Sequence, residues 1–172
     1  MMNMLTDRFV LVPACVLCPA FMAAKGKSEF SWRKEILLFL AENGFSILPL
    51  PCPESTFVHP KTGLHRLPHN VRYYETLDGF REHCASLAES VGEQLEVLKC
   101  NDYIIEAILG LENSPTCAVE KMFIWGEGTV KRPGLFIENL ATILQRKGLS
   151  IPIIGIDRRN IKKTICRINE IR

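Results

Sequence analysis

Three short apolar runs in this chain each lead, within a few residues, to a proline and a cysteine. Phe9-Val-Leu-Val leads to Pro13-Ala-Cys15, and Phe45-Ser-Ile-Leu leads to Pro49-Leu-Pro-Cys52-Pro-Glu54. Ile104-Ile-Glu-Ala-Ile-Leu-Gly-Leu111 leads to Glu-Asn-Ser-Pro-Thr-Cys117. Runs this short and continuous read as strands covered on both faces, the pattern of a parallel sheet. Proline removes a backbone donor and fixes φ, so the prolines are expected to end the ladders, with strands over 8–15, about 45–50 and within 103–110. The carboxyl ends of parallel strands lie on one edge of a sheet, where ligands bind. Three cysteines far apart in sequence are therefore expected at one crevice.

The stretches between the runs have helical spacing. Trp32, Ile36, Phe39 and Leu40 form an apolar stripe over residues 32–43, with Gly44 as the stop. Phe80, Cys84, Leu87, Val91 and Leu95 recur likewise after Thr76 or Asp78, either of which could cap. Residues 135–147 make a further helix, residues 151–156 a fourth strand, and Asp157 is expected to cap a last helix carrying Ile161, Ile165 and Ile168. Strands alternating with helices predict an α/β chain with a compact Rossmann-like three-layer fold. Its mainly parallel sheet of about four strands has the expected order 2-1-3-4, with the switch point between strands 1 and 3. The length, 172 residues, suits one domain over 1–172. Three stretches stand outside this frame: a loop carrying Lys25, Gly26 and Lys27, a polar loop over 55–74 with His59, His65 and His69, and an excursion over 122–134. Gly126-Glu-Gly-Thr-Val-Lys-Arg-Pro-Gly134 lacks the phosphate-loop spacings and reads as a turn. Glu106 sits awkwardly in a strand that should be apolar on both faces.

A net charge of +2 is too small to argue for nucleic acid or an anionic membrane as partner. No stretch reaches the ~20 apolar residues that span a bilayer. The apolar run before Cys15 is too short for a signal core, and Asp7 and Pro13 interrupt it. Seven cysteines, an odd number, argue against a disulfide framework and for thiols in a reducing, cytoplasmic setting.

Thiolates gathered at one point repel each other and are costly to bury without a cation. A metal or iron–sulfur centre meets both problems. A zinc site wants a fourth protein ligand. A cubane cluster normally takes four cysteines, so three leave one iron open to a substrate. The competing readings are three buried core cysteines, a cluster- or metal-binding sensor or sulfur carrier without turnover, and a dithiol oxidoreductase using Cys15 and Cys18. Cys84 belongs to an apolar stripe, Cys100 and Cys166 have no partner spacing, and the histidines have no ligand spacing.

Cys15-Val-Leu, Leu50-Pro-Cys-Pro-Glu54 and Asn113-Ser-Pro-Thr-Cys117 stand in the order and approximate spacing of the thiouracil desulfurase family. The chain resembles most a shorter branch of related desulfidases, with Gly63-Leu-His-Arg66 and Tyr73-Tyr74 as further matches and Ala118 where the family usually has glycine. The resemblance implies a [4Fe-4S] cluster held by Cys15, Cys52 and Cys117, whose open iron accepts sulfur from a thiocarbonyl small molecule. It implies Glu54 as the acid–base residue and Ser114 as its polar partner. The implied reaction is carbon–sulfur bond cleavage without net redox change.

Overall fold

The computed structural model describes residues 8–21, 31–58 and 71–171. Lys25, Gly26, Lys27, the three histidines of the 55–74 stretch and Gly63 to Arg66 lie outside the described residues.

Strand β1 (Arg8–Pro13) runs straight into a single-turn helix, α1 (Ala14–Leu17). Helix α2 (Ser31–Glu42) then leads to strand β2 (Ser46–Leu50) and a second one-turn helix, α3 (Pro53–Thr56). Helices α4 (Val71–Thr76) and α5 (Phe80–Cys100) precede strand β3 (Ile104–Leu111). A hairpin, β4 (Met122–Ile124) and β5 (Gly128–Val130), comes before helix α6 (Leu135–Arg146). Strand β6 (Ile153–Ile156) and helix α7 (Ile161–Glu170) complete the described fold.

The principal sheet is parallel, in the order β2-β1-β3-β6. The expected order therefore holds, with β6 as its fourth strand. Helix α5 packs on α6 and α2 packs on α7, so the sheet lies between two helical layers. Val10, Leu11, Val12, Ala107, Ile108 and Leu109 are buried in the two central strands. Burying such side chains contributes ~1.5–3 kcal/mol each for the larger ones. The switch point falls between β1 and β3, as their order requires.

Several local expectations needed correction. β1 stops at Pro13, two residues short of the expected 15, while β2 runs to Leu50 as expected, with Pro49 paired to Val12 inside it. β2 is the sheet edge, so a residue with no N–H to give can be accommodated there. Asp157 does not cap α7. Asn160 does, accepting from the Lys163 N–H, while Asp157 accepts from the Arg159 N–H and from Lys121. Gly79, at φ 80°, precedes α5, in the left-handed region where glycine is favoured over Thr76 or Asp78. The β1–β3 register slips between Phe9 and Val10, leaving Glu106 out of the pairing. It forms an ion pair with Arg8 at the amino end of the sheet. The 122–134 excursion contains the β4–β5 hairpin, and Gly126 and Gly128 supply its positive-φ turn.

The loop between β3 and β4 carries Cys117 and is tied down on all sides. Its Thr116 carbonyl accepts from the Phe136 and Ile137 N–H groups, and its Pro115 carbonyl from Leu135 N–H. These are first-turn donors of α6 that the helix itself cannot satisfy. Buried Glu112 accepts from the N–H groups of Glu120 and Lys121 at the far end of the loop. Gly134 has φ −74° and ψ 155°, which any residue adopts, but a Cβ there would lie 2.4 Å from the Thr116 carbonyl carbon. Gly134→Ala must therefore push the Cys117 loop off the α6 amino terminus. A loss of ~1–3 kcal/mol is expected from such overpacking, read as a lower urea midpoint at unchanged slope.

Candidate active site

Each expected cysteine arrives where a parallel strand ends. Cys15 lies one residue into α1, two residues past β1. Cys52 is the N-cap of α3, with Pro53 at its first position. Its carbonyl accepts from the Ser55 and Thr56 N–H groups, which close the turn. Cys117 follows β3, its N–H donating to Ser114 Oγ at 3.1 Å and its carbonyl accepting from Leu111 N–H at 2.8 Å.

The three thiols and Glu54 share one electrostatic environment. Burial pushes the Cys15 thiol up to about 12, with Cys52 and Glu54 adding to the rise and Arg33 opposing it. Burial also raises Cys52, and Glu54 raises it further, against hydrogen bonds from Ser55 and the Glu54 N–H. Cys117 is held well above the ordinary thiol range, first by burial and then by Cys15, with Cys52 and Glu54 adding smaller contributions. Without a cation, these thiols are thus held protonated at neutral pH. Among the described residues, no group of three or more His, Cys, Asp or Glu side chains is arranged to hold a metal ion. The three thiols as they stand are therefore not assembled around one centre. The donor set nevertheless suits a soft, cationic iron–sulfur core, which would compensate the charges that now oppose ionisation.

Glu54 is held at both oxygens. Tyr74 donates its hydroxyl to Oε2 at 3.3 Å, and Thr116 donates to Oε1 at 3.1 Å. Both donors are buried, Tyr74 at 2% and Thr116 at 1% exposure. Thr116 Oγ1 also lies 3.5 Å from Cys117 Sγ and 3.4 Å from Ser114 Oγ. One buried hydroxyl thus links the carboxylate, a candidate ligand and the expected polar partner. Ser114 itself accepts from the Thr116 and Cys117 N–H groups, so it shapes the loop backbone. Sequence reasoning assigned no role to Thr116; its only signal was its place between Ser114 and Cys117 in Asn113-Ser-Pro-Thr-Cys117. For Tyr74 the signal was a tyrosine at the end of a polar stretch, which when buried needs a hydroxyl partner.

Cys84 is buried in the core as expected, yet it lies near enough to Glu54 and Cys52 for both to act on it. Burial and those two groups push its thiol up to about 12. Cys18, Cys100 and Cys166 are exposed.

His83 of α5 fixes the short helix that carries Cys52 and Glu54. Its Nε2 lies 2.9 Å from Thr56 Oγ1, its ring packs against Phe57, and it also bonds the Pro53 carbonyl. Burial lowers its pKa below the ordinary 6.5, opposed by the Pro53 contact. The folded state therefore prefers the neutral ring, and the unfolded chain binds the proton more readily. Stability from this group is present above pH 6.5 and is lost as pH falls from there through the lowered folded value. The urea midpoint should drop as pH falls below 6.5, and drop less in His83→Gln.

No protein-family model and no solved structure matches the chain. It is similar to the uncharacterized protein MJ0003 of Methanocaldococcus jannaschii. The two are 32% identical over 87 residues, which is 51% of this chain and 52% of that protein. The chain thus spans about half the length of the curated relative it matches. No described helix is long and apolar enough to cross a membrane.

Proposed function

We propose that the protein is a [4Fe-4S]-dependent desulfidase that removes sulfur from a thiocarbonyl small molecule of the thiolated-nucleobase kind. The observation that carries this reading is that Cys15, Cys52 and Cys117 follow the carboxyl ends of the parallel strands β1, β2 and β3, with Glu54 two residues past Cys52. The motif resemblance to thiouracil desulfurases supports it. Cys15, Cys52 and Cys117 would hold the cluster, which when bound supplies a Lewis-acidic iron with affinity for sulfur. The net change is hydrolysis: the thiocarbonyl carbon gains the water oxygen, and sulfur leaves as hydrosulfide. Glu54 takes a proton from water as the carbon–oxygen bond forms and returns one to the departing group. Tyr74 and Thr116 hold its two oxygens in register for that transfer. Ser114 keeps the Cys117 N–H occupied and the loop in shape.

The test is hydrosulfide release from 2-thiouracil and other thioamides by anaerobically reconstituted protein. A second reading is a cluster- or metal-binding sensor or sulfur carrier without turnover that uses the same three cysteines. No release across the panel, with iron and sulfide still bound, would select that reading. The dithiol reading has less support, since a redox pair needs a depressed thiol pKa and Cys15 is pushed up to about 12. Cys18→Ser is therefore expected to leave hydrosulfide release within about twofold of the wild type, because the exposed Cys18 is outside the site.

A further inference from the structure

The Thr116 side chain is buried, and its backbone is held by the carbonyl that accepts from the Phe136 and Ile137 N–H groups of α6. A β-branched side chain has little freedom at χ1, so on this backbone the hydroxyl proton is the part that can turn. Three polar atoms stand around Thr116 Oγ1: Glu54 Oε1 at 3.1 Å, Ser114 Oγ at 3.4 Å and Cys117 Sγ at 3.5 Å. Ser114 Oγ accepts from the Thr116 and Cys117 N–H groups, which fill its two lone pairs, so its own proton points to Thr116 Oγ1. Thr116 is left with one proton and two acceptors, the Glu54 carboxylate and the Cys117 sulfur. The shorter contact, to a charged oxygen, takes the proton. A Cys117 sulfur acting as a ligand has no proton of its own, and Thr116 can donate to it only where Glu54 does not claim the hydroxyl.

We propose that Thr116 is a positioning residue that shares one hydroxyl proton between Glu54 and Cys117, and so couples the acid–base group to the cluster ligand. The coupling rests on the cluster reading for what Cys117 holds. Hydrogen bonds to the ligand sulfurs help to set the reduction potential of an iron–sulfur cluster, so the potential reports where the proton points. It is measured by anaerobic reductive titration of reconstituted wild type, Glu54→Met, Thr116→Val and the double variant. Glu54→Met removes the carboxylate charge in either background, which by itself raises the potential. With Thr116 present, it also frees the hydroxyl proton for Cys117. The rise should therefore be larger with threonine than with valine at 116. The expected difference is about tenfold in the ratio of reduced to oxidised cluster, ~59 mV for one electron. A Thr116→Ser background should keep the larger rise, and Thr116→Ala replaces Thr116→Val where the valine variant takes up no iron. Equal rises with and without the hydroxyl overturn the coupling. So does a wild type that takes up no cluster, which removes the cluster reading with it. Unequal rises with no hydrosulfide released from any thioamide leave the coupling standing and the desulfidase reading fallen. Hydrosulfide release with equal rises does the reverse.

Discussion

Cys52→Ser is expected to lose iron and turnover together while keeping the fold. Cys52 is the N-cap of α3, and serine is among the best residues at that position. The backbone contacts that close the turn run through its carbonyl, which the substitution leaves in place. Unfolding midpoints should therefore stay at or above the wild-type value. A hydroxyl is a poor ligand for a soft iron site. Turnover should fall by more than the ~10–100-fold that loss of a supporting residue costs. Iron content after anaerobic reconstitution, measured beside the unfolding curve, checks both halves. A variant that retains iron and turnover would remove Cys52 from the ligand set.

Glu54→Gln separates proton transfer from ligation. Glutamine keeps the size of the side chain and can still bond Tyr74 and Thr116, but it cannot carry a proton at neutral pH. Iron and sulfide content should match the wild type. Hydrosulfide release should fall by ~10²–10⁴, the usual worth of a positioned acid–base group. Ser114→Ala should lose less, since Ser114 acts on the loop backbone through the Thr116 and Cys117 N–H groups. Full turnover in Glu54→Gln would move the proton to water or to another side chain.

The architecture was legible because β1 and β3 are apolar apart from Arg8 and Glu106 and the stripes on α2 and α5 keep helical spacing. Their order fixed the sheet edge at which Cys15, Cys52 and Cys117 stand. Why Pro49 is accommodated inside β2 was not legible, because proline stops a central strand but is tolerated at an edge, and edge position is a property of the assembled sheet. Glu106 was opaque for a similar reason: its partner, Arg8, is 98 positions away and meets it only where the register slips. The clamp on Glu54 was hidden in the same way. Thr116 is 62 positions from it and Tyr74 is 20, so neither contact leaves a local pattern. Cys84, by contrast, was legible: a cysteine on an apolar helical stripe is buried in the core.

The central claim is that three strand-end thiols hold an iron–sulfur cluster. Iron and acid-labile sulfide, counted in anaerobically purified and reconstituted protein, test it most directly. About four of each per chain, with broad absorbance near roughly 400 nm that disappears in Cys52→Ser, is the predicted result. A colourless protein that binds one zinc per chain would contradict it.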